Sequence, residues 1–407
     1  MYDIYLYDEL VGRLVPRGEG VQFTYNARAL AHVDLPGISL SMPKREAVYG
    51  GKVAKAFFLN LLPEGAYRRL VAEAAGTAAG NDSALLGAIG GECPGAIAIW
   101  PEHQAPPDTP QYEALAHDDF ARLFDATNPM AIASATRRAR LSLAGVQEKT
   151  ALFRDDDGHW FRPINGAITS HILKQAPAAY PELLENELFC MMLAAEASLP
   201  VARVGLPMPD VRVFCAERFD RVQRRKLHQE DFCQVLAVLP TKKYEDEGGP
   251  GLKACANVVH NASTLAIEDI SRLLRWVAFN YLVGNEDAHA KNLAVLYGPT
   301  GLRLAPHYDL LSTEVYPHLE RKSAMKIGRA VDLRSVQTSD WKRVADIMRL
   351  SWPAARLELQ QLAAQVAAAI PAVTARCEVT LGPTAVYGTV GALAQRRCAQ
   401  LARELVR

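Results

Sequence analysis

Nine residues, "GNEDAHAKN" from Gly284 to Asn292, concentrate polar side chains directly after the mostly apolar segment 273–283. Asp287 and Asn292 stand five positions apart, and Lys291 precedes the asparagine. Phosphoryl transfer needs a carboxylate that accepts or orients a hydroxyl proton, and an amide oxygen that holds magnesium nearby. The Asp-x-x-x-x-Asn spacing of a kinase catalytic loop supplies both groups. The segment therefore predicts a loop for phosphoryl transfer.

A second metal-binding carboxylate should follow this loop beyond a short hairpin, and Asp309 in "APHYDLL" has that position. Oxygen donors of this kind suit magnesium, which is a hard cation. A purely structural alternative is that Asn285 and Asp287 cap a helix start while His289 packs locally. For an isolated Asp-x-x-x-x-Asn that alternative is preferable, so the phosphoryl-transfer interpretation depends on Asp309 and on the residues upstream.

Upstream, a kinase needs a phosphate-binding loop, a lysine on a strand and an acid on a helix. The segment "SLAGVQEKTAL", residues 142–152, places small residues at a turn into a strand but matches neither common glycine-rich phosphate motif. Lys174 follows in "SHILK", and Glu185 or Glu187 lies on the next helix. The alternative is that these three charges are solvated, as most are. Glu187 shares a helix side with apolar residues, which favours an inward position.

Hydrophobic periodicity and turn residues predict the elements that must position these groups. The prediction comprises an antiparallel sheet within 1–35, two helices on either side of Pro63, a linker at 103–111, a hairpin with Asp157-Gly158 in its turn, a strand at 169–176, a helix within 181–200, a strand within 211–221, a hairpin around Gly298–Gly301, and two long helices at about 353–377 and 383–406.

Composition restricts the class of protein. The 45 basic and 45 acidic side chains cancel, which argues against a protein that coats polyanions. The seven cysteines include no Cys-x-x-Cys pair, so Cys190, Cys215, Cys233 and Cys255 are interpreted as small buried apolar residues. The N-terminal segment does not resemble a signal peptide, and no apolar stretch of about 18 residues is apparent. We therefore expect no membrane span and a reducing cytoplasmic environment.

Five segments in order resemble the HipA family of serine/threonine-kinase toxins from bacterial toxin–antitoxin modules. They are "SLAGVQEKTAL", "ERFDR", "QEDFCQ", "GNEDAHAKN" and "PHYDLLS". The resemblance implies an α+β, two-lobed, protein-kinase-like fold with an added N-terminal α/β subdomain and a mainly helical C-terminal lobe. On this basis the expected domains are an N-terminal subdomain at 1–102, a strand-rich ATP-binding lobe at 112–240 and a helical catalytic lobe at 241–407.

The same resemblance implies roles for individual residues. Asp287 corresponds to the catalytic base, Lys174 to the lysine that contacts ATP, and Asn292 with Asp309 to the magnesium ligands. The remaining ATP-binding positions are the phosphate-binding loop Ala144, Gly145, Val146, Gln147, Glu148 and Lys149, the hinge residues Glu230, Asp231 and Phe232 that meet adenine, and His289, Ala290, Lys291 and Tyr308.

Members of the family also phosphorylate a serine just before the phosphate-binding loop, and Ser142 has that position. A phosphate there could pair with an arginine of "RRARLS", namely Arg137, Arg138 or Arg140. The alternative is an ordinary loop serine beside a solvated basic run. The resemblance further implies a helix-turn-helix antitoxin partner that binds operator DNA, and an aminoacyl-tRNA synthetase as protein substrate.

Three functions remain open from the sequence. The first is an active toxin kinase that phosphorylates a protein serine or threonine, and the second is a kinase-like corepressor that mainly binds an antitoxin on DNA. The full set of Lys174, Asp287, Asn292 and Asp309 favours the first. The last helix is basic at Arg396, Arg397, Arg403 and Arg407 but is interrupted by Glu404, which is more typical of a solvated face than of a DNA-binding arm. A small-molecule kinase shares the same chemistry, and only the resemblance disfavours it.

Overall fold

A computed structural model describes residues 1–18 and 20–406 of the chain. The strands, in chain order, are β1 (Tyr2–Leu6), β2 (Glu9–Arg17), β3 (Gly20–Tyr25), β4 (Ile97–Pro101), β5 (Gln111–Leu115), β6 (Lys149–Arg154), β7 (Trp160–Ile164), β8 (His171–Lys174), β9 (Val204–Gly205), β10 (Phe214–Glu217), β11 (Arg221–Val222), β12 (Arg225–Lys226), β13 (His228–Asp231), β14 (Ala294–Gly298) and β15 (Gly301–Leu304).

The α-helices, in chain order, are α1 (Ala27–Ala31), α2 (Gly51–Leu59), α3 (Gly65–Ala74), α4 (Asp82–Ile89), α5 (His117–Leu123), α6 (Met130–Ala139), α7 (Leu183–Glu196), α8 (Phe232–Val235), α9 (Leu252–Ala262), α10 (Ala266–Val283), α11 (Thr338–Ile347), α12 (Trp352–Leu381) and α13 (Ala385–Val406). The predicted α+β class is confirmed, because long helices and antiparallel sheets occur in different parts of the chain.

The chain divides into two compact units. Unit 1 comprises 1–175, 206–241 and 296–298, and unit 2 comprises 176–205, 242–295 and 299–407. The predicted linker at 103–111 ends at Gln111, the first residue of β5, and the segments on both of its sides belong to unit 1. The three predicted domain ranges therefore stay a prediction.

Unit 1 contains two antiparallel sheets with a shared core. The predicted N-terminal sheet is confirmed with the order β3-β2-β1-β4, so β4 joins it from outside the predicted range. Five strands of the second sheet run in the order β5-β7-β6-β8-β10. One cluster of buried apolar residues, from Ile4 to Cys215, packs against both sheets and unites them.

The hairpin of β6 and β7 forms as predicted. Gly158 has φ +89, a conformation that glycine adopts without steric cost, and its N–H donates to the carbonyl of Asp155 at 3.1 Å. The Asp155 carboxylate accepts the N–H of His159 at 2.7 Å, which closes the turn. The predicted strand around Lys174 and the strand before "ERFDR" are confirmed as β8 and β10, and the helices on either side of Pro63 are confirmed as α2 and α3.

Unit 2 is mainly helical. The predicted helix within 181–200 is α7, the hairpin around Gly298–Gly301 is β14 and β15, and the two long C-terminal helices are α12 and α13. Helix α12 packs against α7, α10 and α13. Ser351 caps its N-terminus by accepting the N–H of Ala354 at 3.4 Å. All seven cysteines of the chain are buried, as expected for small apolar residues.

One helix of unit 2 bears on the expectation that the chain has no membrane span. Helix α12 is long and apolar enough to cross a membrane by length and composition alone. The core helix of a globular protein passes the same test, and α12 packs against three other helices of unit 2. This packing accounts for its apolar composition without a lipid environment.

Candidate active site

The end of α10 places the predicted catalytic loop. Gly284 terminates the helix with φ +75, and a Cβ atom at this position would lie 2.8 Å from the side chain of Leu393. The left-handed conformation favours glycine, and a larger residue would also require the Leu393 side chain to shift. The chain therefore leaves a buried apolar helix through a fixed turn, which gives the following polar residues rigid support.

Hydrogen bonds within the loop fix Asp287 and Asn292. Asn285 donates to the side chain of Asn280 at 2.7 Å and accepts the N–H of Asp287 at 3.1 Å. It therefore holds the turn after α10 and does not cap a helix start, since the next helical turn begins after His289. The Asn292 side-chain NH₂ donates to the carbonyl of Asp287 at 3.3 Å. That bond orients the amide so that its oxygen remains as an acceptor. The loop thus combines a structural role for Asn285 with an arrangement suited to phosphoryl transfer.

The second predicted carboxylate approaches the same loop. Asp309 adopts φ +54, a left-handed conformation that costs a non-glycine residue roughly 1–3 kcal/mol and tends to occur at functional sites. Its carbonyl accepts from the Asn285 side chain at 3.5 Å, and the neighbouring Tyr308 hydroxyl donates to the carbonyl of Lys291 at 2.7 Å. Unit 2 therefore brings Asp287, Asn292 and Asp309 onto adjoining segments.

Two buried side chains hold the segment after Asp309 in place, and sequence reasoning missed both. Asn186 on α7 donates to the carbonyl of Ser312 and accepts its N–H, both at 2.8 Å. Thr313 accepts the N–H of Glu286 at 2.8 Å. No sequence signal marks Asn186, which stands between Glu185 and Glu187; its burial in the structure identifies it, since a buried amide requires specific partners.

Glu185 and Glu187 are both buried on α7, so the interpretation of these residues as solvated surface charges is wrong. The inward position expected for Glu187 is confirmed. Buried carboxylates need compensation by hydrogen bonds or opposite charge. Which of the two pairs with Lys174 stays a prediction.

His289 is buried within the loop, as the structural alternative for this residue expects. Burial lowers its pKa below the ordinary value, so the ring is neutral near pH 7. Among the described residues, none hydrogen-bonds to its Nδ1 atom. A buried ring nitrogen of this kind fits a polar group of a bound nucleotide.

Tyr244 adds a contact that the sequence did not indicate. Its hydroxyl donates to Oδ1 of Asp287 at 2.8 Å, and its ring meets that of His289 edge to face, with centroids 5.5 Å apart. The segment "KKYEDEGGPG" around Tyr244 matches no catalytic motif, so only the three-dimensional contact identifies it.

In unit 1, the predicted phosphate-binding loop is a turn stabilised by main-chain contacts. Gly145 has φ +109, its carbonyl accepts the N–H of Glu64 at 2.9 Å, and an added Cβ would lie 2.6 Å from Nζ of Lys149. Lys149 in turn donates to the carbonyl of Ala144 at 2.9 Å. Val146 is exposed at the tip of the turn.

Strand pairing places Lys174 next to this loop. Lys149 on β6 is directly opposite Lys174 on β8, and both lysines are buried. Two hydrogen bonds connect the loop to the residue after β8. The Gln147 side chain donates to the carbonyl of Gln175 at 2.9 Å, and the Glu148 carbonyl accepts the N–H of Gln175 at 3.1 Å. The predicted phosphate-binding loop and Lys174 therefore lie at the same end of the β6–β8 pair.

The predicted hinge residues have internal roles in unit 1. The buried Glu230 carboxylate accepts from Ser39 Oγ at 2.5 Å, from the N–H of Leu40 at 2.8 Å and from the Tyr297 hydroxyl at 2.6 Å. Burial raises the pKa of Glu230 to about 7. Asp231 caps α8 through a 2.8 Å bond from the N–H of Gln234. Because these side chains already have hydrogen-bond partners, the main chain is the part of the predicted hinge that can contact adenine.

Ser142 is fully buried in unit 1. Its hydroxyl donates to the carbonyl of Leu61 at 2.7 Å. Arg138 pairs with Glu113 at 2.9 Å, and Arg140 donates to main-chain carbonyls and lies over the ring of Trp100. A phosphate on Ser142 has no room in this arrangement, so its segment would have to move outwards.

The expectation of a solvated basic face on the last helix is wrong for Arg397. This side chain is buried and donates to the carbonyl of Tyr281 at 2.6 Å and to Glu314 at 2.6 Å. These hydrogen bonds therefore stabilise the end of α10 near Gly284. Arg396 and Arg403 are exposed, and Arg407 lies outside the described residues.

Comparisons with known proteins identify the family of the chain. Residues 141–373 match the family model described as the HipA-like C-terminal domain, and residues 2–100 match the HipA N-terminal domain. The first match includes the loop at 284–292, Asp309, Lys174 and the segment 144–149.

Relatives and a solved structure extend the likeness over the chain. A putative kinase, Y4mE of Sinorhizobium fredii, is 37% identical over 374 residues, which cover 89% of each chain. The serine/threonine-protein kinase toxin HipA of Shewanella oneidensis is 35% identical over 301 residues, covering 69% of this chain and 68% of that protein. The solved complex of Shewanella oneidensis HipA with HipB and operator DNA matches with a TM-score of 0.85 and 25% identity, over 100% of this chain and 98% of that one. The chain is a member of the HipA family of serine/threonine-protein kinases.

Proposed function

We propose that the chain is the toxin of a cytoplasmic toxin–antitoxin module and transfers a phosphoryl group from ATP to a serine or threonine of a protein. The observation that carries this proposal is the arrangement in unit 2. Main-chain and side-chain hydrogen bonds bring Asp287, Asn292 and Asp309 onto adjoining segments supported by a buried helix. A protein that only binds partners has no physical need for this combination.

Asp287 has the role of the general base in this proposal. A carboxylate within hydrogen-bond reach of a substrate hydroxyl accepts its proton as the oxygen attacks the phosphorus atom. The bond from the Asp287 N–H to Asn285 holds the main chain of the base in place. Phosphoryl transfer depends chiefly on such positioning and on charge stabilisation.

The residues present fit a magnesium ion together with ATP. Asn292 offers an amide oxygen and Asp309 a carboxylate, and both are hard oxygen donors. These two residues would hold the ion, which supplies positive charge against the phosphate oxygens when bound. Within unit 1, taken by itself, the family resemblance proposes Lys149 and Lys174, which are paired across β6 and β8, as phosphate contacts and the main chain at Glu230–Phe232 as the adenine contact.

Replacing Asp309 with alanine should weaken magnesium-dependent nucleotide binding. Loss of even an outer partner of a metal site costs roughly 10- to 100-fold in metal affinity, so the loss of a ligand should cost at least as much. Titration calorimetry with ATP should show this weakening in Asp309→Ala with magnesium and little change with EDTA. Equal affinities of the two proteins under both conditions would exclude Asp309 as a magnesium ligand.

The proposed partners rest on the family. The solved relative from Shewanella oneidensis is bound to HipB and operator DNA. We infer a helix-turn-helix antitoxin and, through it, operator DNA as partners of this chain. We further propose an aminoacyl-tRNA synthetase as the phosphorylated protein, with inhibition of translation as the result.

Autophosphorylation of Ser142 is the most direct test of kinase activity. The protein is incubated with labelled ATP and magnesium, and the label is located by peptide mapping. We expect label on Ser142 in the wild type and none in Asp287→Ala or Ser142→Ala. Because Ser142 is buried, its phosphorylation should also increase the protease sensitivity of the segment around residue 144.

The other outcomes separate the competing functions. Label on lysate proteins but not on Ser142 would support the proposed kinase activity and exclude autophosphorylation of Ser142. No label on this chain or on any lysate protein would favour a corepressor, and binding to an antitoxin on operator DNA would then be measured. Transfer of label only to small molecules would indicate a small-molecule kinase.

A further inference from the structure

Tyr244 touches the carboxylate that the proposed function uses as its base. The phenol donates to Oδ1 of Asp287 at 2.8 Å, and both residues belong to unit 2. A carboxylate has two oxygens with about four acceptor positions. One oxygen can therefore accept from Tyr244 while the other faces a substrate hydroxyl.

The main chain around Tyr244 is anchored. The carbonyl of Tyr244 accepts the N–H groups of Glu247 at 3.2 Å and Gly249 at 2.9 Å. At Gly249 an added Cβ would lie 2.2 Å from the carbonyl of Lys242, so this turn requires glycine. The phenol is thus presented from a defined turn.

The next residue ties this turn to another part of unit 2. The Glu245 N–H donates to the carbonyl of Ala324 at 2.9 Å, and the Glu245 carboxylate accepts the N–H of Lys326 at 2.7 Å. Ala324 itself donates to the carbonyl of Glu286 at 2.7 Å. Glu286 directly precedes Asp287, so one chain of hydrogen bonds links the base and the turn that carries Tyr244.

We propose that Tyr244 is a positioning residue for phosphoryl transfer, whose hydroxyl fixes the rotamer of Asp287 so that the second carboxylate oxygen faces the acceptor hydroxyl. This inference rests on the proposed function, since it assumes that Asp287 is the base. The contact is exposed to solvent, where a hydrogen bond contributes little to folding because water replaces it readily. Its effect should therefore appear in the rate, through orientation.

The opposite role is also chemically reasonable and is an outcome of the test. A phenol bonded to Asp287 occupies the position of a substrate hydroxyl. It could therefore exclude the substrate, as an autoinhibitory contact. The anchoring of the turn through Glu245 and Gly249 favours positioning, because a gate has to leave the site in each cycle. The two roles predict opposite changes in rate.

The test compares Tyr244→Phe with the wild type, because this change removes only the hydroxyl. ADP release from ATP with magnesium is measured at steady state, and labelled transfer to myelin basic protein serves as a probe of protein phosphorylation. We expect kcat to fall about tenfold, with the KM for ATP and the thermal midpoint unchanged. Tyr244→His, which retains a ring donor, should recover part of the rate.

Tyr112→Phe is the matched control. Its hydroxyl donates to the carbonyl of Ile168 at 3.0 Å in unit 1, whereas Asp287 belongs to unit 2, so its kcat should equal that of the wild type. A Tyr244→Phe protein with an unchanged or increased kcat would overturn the positioning role, and an increase would establish autoinhibition. If Asp287→Ala, measured in parallel, remains active, or if the wild type releases no ADP, the proposed function itself fails.

Discussion

Asp287→Ala is expected to lower the rate of phosphoryl transfer by roughly 10²- to 10⁴-fold, the usual contribution of a positioned general base. The fold should persist, since the loop is held by main-chain bonds and by Asn285 rather than by the Asp287 side chain. The carboxylate contributes one described bond, from Tyr244. The loss should therefore fall on kcat, with the KM for ATP little changed.

Steady-state ADP release and labelled transfer onto Ser142 measure this effect, and circular dichroism checks the fold. Asp346→Ala is a suitable control, because this carboxylate is exposed on α11 and should have wild-type activity. Asp287→Asn retains the shape of the side chain but not its basicity, so it should be as impaired as the alanine variant. Wild-type turnover in Asp287→Ala would remove Asp287 from the mechanism.

Features that depend on neighbouring residues could be predicted from the sequence. The β6–β7 hairpin follows from the Asp157-Gly158 turn, and α7 follows from apolar residues at helical spacing. The loop at 284–292 was recognised because its residues are close in sequence. Its internal bonds, such as that from Asn292 to Asp287, span five positions.

Features that depend on distant pairs could not be predicted. Asn186 meets Ser312 across 126 positions, and Tyr244 meets Asp287 across 43. No local periodicity encodes such a contact. The same reason explains the error at Arg397, since a basic residue on a helix is usually exposed and only the packing of α13 buries it.

The motif "ERFDR" shows a further role that the sequence left unassigned. Arg218, Asp220 and Arg221 are buried and form a network with Glu92 in unit 1. One oxygen of Glu92 accepts from Arg218 at 3.2 Å and from Arg221 at 2.8 Å, while Asp220 accepts from Arg218 at 2.7 Å. Glu92 also accepts from the N–H and hydroxyl of Thr169, both at 3.1 Å. The network therefore connects three segments of unit 1: the segment before β4, the segment before β8 and the segment after β10.

Glu92→Gln should therefore destabilise unit 1 by roughly 3–5 kcal/mol, the usual cost of removing one partner from a buried ion pair. The amide retains the size of the carboxylate but leaves Arg218 and Arg221 with Asp220 as the remaining carboxylate of this network, while Lys226 retains its pair with Asp8. Urea unfolding at pH 7, followed by tryptophan fluorescence, should show an earlier transition.

The effect should depend on pH with a definite sign. Burial acts to raise the pKa of Glu92, but attraction to Arg221, Lys226 and Arg218 outweighs it, and the pKa lies below the ordinary 4.5. A carboxylate with a lowered pKa contributes stability that is fully present above its unfolded pKa and is lost as the pH falls through its folded pKa. The difference in unfolding free energy between wild type and Glu92→Gln should therefore be constant near neutral pH and shrink below about pH 4.5.

Glu113→Gln provides the matched control. Glu113 also lies between two arginines, Arg138 at 2.9 Å and Arg162 at 3.2 Å, but its side chain is 43% exposed. Exposed pairs of this kind contribute about 0–1 kcal/mol, because water and salt screen them. If both variants lost the same small amount, burial would not be what makes the network strong, and "ERFDR" would need another explanation. If only Glu92→Gln lost a large part of its unfolding free energy, and the loss became smaller in acid, the motif would be identified as a buried ionic link. This link would orient the strands on either side of Lys174.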